Sequence, residues 1–123
     1  MRLLLDTHTV LWWLADDPTL SARTRSVIAA PDNLVAVSPV TGWEIAIQRA
    51  AGRLKIPGSW PDRVAEFVQL PITLEHAITA GSLPPHHGDP FGRMLVAQAQ
   101  VEGMTIVTRD PDIQRYQVAT LPA

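Results

Sequence analysis

DPFGRMLVAQAQVEGMTIVTRD, residues 89–110, is the stretch whose reading decides the fold. Asp89 suits a helix N-cap, Pro90 the first turn and Gly103 the stop, so Pro90–Glu102 reads as a helix. Met104–Thr108 (MTIVT) is then a short apolar run without clean alternation. That is the pattern of a strand buried on both faces. Two further runs share it, Arg2–Leu5 (RLLL) and Leu34–Ser38 (LVAVS), and Ile72–Leu74 and Gln117–Leu121 are weaker strand candidates.

Helical patterns fill the intervals: Thr7–Ala15, Ser21–Ala30, Pro39–Leu54, Ser59–Gln69 and Glu75–Gly81. Ser82–Gly88 (SLPPHHG) reads as a loop from its prolines and glycine. Strands alternating with helices predict an α/β domain with a mostly parallel sheet. At 123 residues, with no repeat or long linker, one domain over 1–123 is expected.

Composition narrows the function classes. With 46% apolar and 18% charged residues, the chain is expected to fold rather than stay disordered. No apolar run approaches the roughly 18 residues of a membrane span. Asp6 interrupts the N-terminal apolar run, which argues against a signal peptide. There is no cysteine, so disulfides and thiolate metal sites are excluded, and a cytoplasmic location is expected. A net charge of -2 gives no support to a general nucleic-acid coat. Arg outnumbers Lys nine to one, which suits bidentate phosphate contact but also follows from G+C-rich coding.

The acids fall in telling places. Asp6 directly follows the first strand, and an ionised carboxylate there needs a partner, a metal or a hydrogen-bond network. Asp110 lies just after MTIVT, so both acids belong at the carboxyl edge of a parallel sheet, where ligands bind. Trp43, Ile47, Ala50 and Leu54 form an apolar stripe, and Glu44 stands about 100° from Trp43, at the stripe's boundary or exposed. Asp89 and Asp110 both precede proline and are read equally well as cap or turn residues. Carboxylates gathered at one edge repel one another unless a divalent cation joins them. Oxygen ligands favour Mg²⁺ or Mn²⁺, whose usual chemistry is phosphodiester hydrolysis.

LLLDTHTVLWWL, WEIAIQRAAGRLKIP and LPPHHGDPFGRMLVAQAQVEGMTIVTRDPDI together resemble the PIN-domain toxins of bacterial VapBC toxin–antitoxin modules. The resemblance spans nearly the whole chain, in order. It implies a PIN-like three-layer α/β/α sandwich with a mostly parallel central sheet. It also implies a Mg²⁺- or Mn²⁺-dependent endoribonuclease, a VapB-type antitoxin partner and a homodimer. Asp6, Glu44 and Asp110 match the acids of the family's LLDTH, WEI and VTRD motifs, and Asp89 matches the first acid of H-x-D-P-F-D-R. The second acid of that motif is Gly92 here. Either Asp89 serves alone or the site is weakened; a weakened domain would act mainly by binding antitoxin or RNA.

The remaining residues have two readings each. Thr108 and Arg109 could orient a carboxylate and meet a substrate phosphate, or simply end a strand. His8, His86 and His87 match no zinc spacing and read as surface or loop residues, with substrate contact as the alternative. Trp12 is hard to bury beside Trp13, and with Trp60 it is assigned to a partner interface or, alternatively, to the core.

Overall fold

The computed structural model describes residues 1–123. Its centre is a sheet of five strands: β1 (Arg2–Leu5), β2 (Leu34–Val37), β3 (Val68–Gln69), β4 (Thr105–Val107) and β5 (Thr120–Leu121). They run in the order β3-β2-β1-β4-β5, and every neighbouring pair is parallel. The chain leaves β1 for one side of the sheet and later crosses to the other, so β1 marks the switch point. Leu4 pairs with Ala36 and Ile106, and Leu5 with Val107. Asp6, Ser38 and Thr108 therefore end the three central strands in one row.

Six α-helices and a 3₁₀ turn (Ile113–Arg115) cover the sheet: α1 (Thr7–Leu14), α2 (Ala22–Ala29), α3 (Pro39–Ala50), α4 (Trp60–Val64), α5 (Leu74–Ser82) and α6 (Pro90–Glu102). Strand alternation divides the core. Leu4, Ala36 and Ile106 pack on one face with Leu95, Val96 and Ala99 of α6. Leu3, Leu5, Val35, Val37 and Val107 pack on the other with Val10, Ile28, Ile45 and Val64 of the first four helices. Each fully buried leucine contributes about 1.5–3 kcal/mol of transfer free energy before chain entropy is opposed to it. The result is the expected three-layer α/β/α sandwich. No helix is long and apolar enough to cross a membrane.

The chain departs from three of the predicted elements. The helix expected over Ser59–Gln69 stops at Val64, and a turn leads into β3. Val68 and Gln69 pair with Ala36 and Val37, so the open edge of β2 overrides local helical preference. Ile72–Leu74 is not a strand: Thr73 Oγ1 accepts from His76 N, and Leu74 opens α5. The helix predicted to reach Leu54 ends at Ala50, where Gly52 takes a positive φ of 72°.

Candidate active site

Asp6 is buried, and its first task is structural. Its Oδ1 accepts a 2.9 Å hydrogen bond from Thr9 N and so caps α1. The Asp6 amide donates to Val107 O, as does Thr9 Oγ1, which locks the start of α1 to the end of β4. Capping occupies one carboxylate oxygen and leaves the side chain at the sheet's carboxyl edge.

Glu44 reaches that edge from α3. Thr7 Oγ1 donates to its Oε1 at 2.5 Å, and Gln48 Nε2 lies 3.4 Å from its Oε2. Burial pushes the Glu44 carboxyl above the usual 4.5; the Thr7 hydrogen bond opposes this, while the charges of Asp89 and Asp6 raise it further and His8 lowers it. Glu44 thus feels both other acids. Asp89 arrives from the start of α6, where its Oδ1 accepts from Phe91 N at 3.0 Å. Asp110 turns instead into its own loop. Its Oδ1 accepts from Asp112 N, its amide donates to Thr108 Oγ1, and it is not among the charges that shift Glu44.

The apolar stripe read on α3 proves to be its outer face. Trp43 and Ile47 are exposed, while Val40, Thr41 and Ile45 point inward. Trp43 packs edge-on against Phe91 of α6, 5.2 Å between ring centres. Glu44 still lies at the boundary, because it neighbours the buried face on its other flank.

His87 Nε2 is buried with no hydrogen-bond partner, a state that costs about 1–3 kcal/mol. A Cβ built on Gly92 would lie 2.9 Å from that nitrogen and 3.3 Å from Asp89 Oδ2. The imidazole therefore borders the place where the missing acid would start. His87 is no plain loop residue, and only the adjacent Gly92 hinted at this in the sequence. Thr7, the hydroxyl that holds Glu44, was also missed, although it stands beside Asp6.

Thr108 is buried as a strand-end hydroxyl. Arg109 Nε donates to Ala123 O at 2.7 Å, and its guanidinium lies 5.4 Å from the centre of the Trp12 ring. Trp12 and Trp60 are both partly buried against the core of the first four helices, so neither stands free. Trp43, at 62% exposed, is the tryptophan that faces outward.

The donors suit a hard divalent cation in kind, being carboxylate oxygens at one sheet edge. As they stand, no three His, Asp or Glu side chains converge closely enough to hold one.

The PIN domain family matches residues 3–119. The chain belongs to the PIN-domain family. This PIN domain is 34% identical over 119 residues to Ribonuclease VapC22 of Mycobacterium tuberculosis, covering 93% of this chain and 91% of that relative. It is therefore of the VapC type. The fold resembles that in VapBC2 from Rickettsia felis, bound to a promoter DNA fragment, with a TM-score of 0.74 and 14% identity over 98% of both chains. It also resembles DNA-bound VapBC from Salmonella typhimurium, with a TM-score of 0.74 and 17% identity over 98% of this chain and 97% of the other.

Proposed function

We propose that this chain, acting as a single cytoplasmic PIN domain, is the toxin of a type II toxin–antitoxin module and a divalent-metal-dependent endoribonuclease. The observation that carries the reading is the hydrogen bond from Thr7, the residue after Asp6, to Glu44, which brings acids from the end of β1 and from α3 to the carboxyl edge of the sheet. Asp6, Glu44 and Asp89 would hold Mg²⁺ or Mn²⁺, with Asp110 joining if its loop turns. The bound cation would supply Lewis-acid charge for the phosphate and acidify water for attack.

The chain's own side chains do the rest. Thr7 fixes the Glu44 carboxylate, and Thr9 N fixes that of Asp6. The Arg109 Nη groups are assigned the substrate phosphate, while Trp12 and Ala123 steady the side chain. Water adds to phosphorus as the bond to the ribose 3′-oxygen breaks, leaving a 3′-hydroxyl and a 5′-phosphate. No side-chain nucleophile takes part.

A VapB-type antitoxin is the proposed partner, and a homodimer the proposed assembly; Trp12 and Trp60 are assigned to these interfaces. The name and 34% identity of the mycobacterial ribonuclease support the activity. The second reading, a weakened domain that mainly binds antitoxin or RNA, is favoured by Gly92 and by the spread of the acids.

Cleavage of a structured RNA pool with Mg²⁺ or Mn²⁺ tests both. Cutting that is lost with EDTA and in Asp6→Asn supports the nuclease. No cutting by folded, antitoxin-free protein supports the binding module.

A further inference from the structure

Charge alone is a poor way for this chain to hold a nucleic-acid strand. The acids at the carboxyl edge and the net charge of -2 repel phosphates, so the strand calls for an uncharged contact as well. The first turn of α1 offers one. His8 directly follows Thr7, the residue that donates to Glu44, and is near enough to act electrostatically on that carboxyl. Its imidazole lies 5.9 Å from the Trp12 ring, centre to centre, tilted by 41°. The Arg109 guanidinium lies 5.4 Å from the centre of the same indole. Trp12 is partly buried against the core and Arg109 Nε is tied to Ala123 O, while His8 and Arg109 stay exposed. Imidazole, indole and guanidinium thus form a row of three flat groups that starts beside the acids.

We propose that His8 is a base platform: one base of a single-stranded RNA, next to the scissile phosphate, stacks on its imidazole, with Trp12 behind the ring and Arg109 on a phosphate of the same strand. The proposal rests on the nuclease reading above. The indole itself is already occupied, since Arg109 lies over it, His8 lies beside it and the core packs against it. His8 is therefore the ring left for a base. Every base has a π-face, so stacking on an aromatic side chain adds affinity whatever the sequence. Bases within a duplex already stack on one another, so only a loop, a bulge or a free end can offer one to His8. The platform thus favours unpaired RNA at the point of cutting without choosing a sequence.

The test uses the full chain without antitoxin, in EDTA and low salt, so that binding is read apart from cutting. The probe is a short single-stranded RNA with a fluorescein at one end, which reports affinity by anisotropy. A 2-aminopurine set at each position in turn reports stacking by its fluorescence. Wild type, His8→Ala and His8→Phe are compared, with circular dichroism as the fold check. His8→Ala should bind about tenfold more weakly and lose the 2-aminopurine response at one position. His8→Phe, aromatic but uncharged, should restore both. Removing the base at that position should weaken wild type to the level of His8→Ala and leave His8→Ala unchanged. A duplex of the same sequence should bind wild type and His8→Ala alike. Equal binding of the single strand by wild type and His8→Ala overturns the platform. A loss that His8→Phe does not restore overturns it too, by assigning His8 to charge, as does a wild type that binds no strand. The nuclease reading is decided separately, by cleavage with metal and its loss in Asp6→Asn, so the two can fail apart.

Discussion

At the scale of single residues, Asp6 and Glu44 separate structure from chemistry. Asn caps a helix as well as Asp does, so Asp6→Asn should keep the Thr9 bond and change stability by less than about 0.5 kcal/mol. RNA cleavage should nonetheless fall about a hundredfold or more, since removing even an outer partner of a metal ligand costs about 10- to 100-fold. Parallel thermal melts and cleavage assays check this; a variant that melts early would place Asp6 in the structural role alone. Glu44 makes the opposite trade. Its carboxyl titrates above the usual 4.5, so the folded chain binds more protons than the unfolded chain in the window above that value. Without metal, stability should therefore decline as pH rises through that window. Glu44→Gln keeps an acceptor for Thr7 and should raise Tm at neutral pH by about 1–3 °C. Melts from pH 4 to 8 without metal read both effects, and a Glu44→Gln melting point below wild type at neutral pH would contradict the account.

At the scale of elements, legibility depended on whether a signal was local. The helix from Pro90 to Glu102 was readable because its cap, first-turn proline and terminal glycine are all in sequence. Gly103 adopts φ 65°, and no atom stands within 4 Å of a Cβ added there. Gly103→Ala therefore tests backbone conformation alone and should cost about 1 kcal/mol, lowering Tm by about 4 °C in chemical and thermal denaturation. A neutral result would mean that the turn relaxes out of the left-handed region. What failed to read was non-local. Val68–Gln69 becomes a strand only because β2 has an edge to pair with, and the Trp43–Ile47 stripe faces out because α3 packs through Val40, Thr41 and Ile45. The same holds in the site. Asp6 was legible from the strand end, whereas His87 acquires its place from Gly92, Tyr116 and Arg93 together.

At the scale of the molecule, the site joins parts of the chain that the core keeps apart. Asp6 caps α1 and Glu44 lies in α3, helices whose apolar residues Val10 and Ile45 pack on one face of the sheet, while Asp89 caps α6 on the other. On the proposed reading, a cation held by all three would bridge both layers, and the unfolded chain would have no such site. Binding energy then becomes stability of the whole fold. At a free concentration of about 100 times Kd, the gain is about 2.7 kcal/mol, which for a chain of this size lifts Tm by about 10 °C. The lift should shrink as pH falls toward 4.5, because Glu44 must lose its proton to bind, and it should be absent in Asp6→Asn. Scanning calorimetry with and without saturating Mn²⁺, at pH 5 and pH 7.5, measures it. A lift that is larger at pH 7.5 than at pH 5 and confined to wild type would tie the cation to these acids. An equal lift in Asp6→Asn would mean that Mn²⁺ binds elsewhere on a chain whose net charge of -2 attracts cations generally.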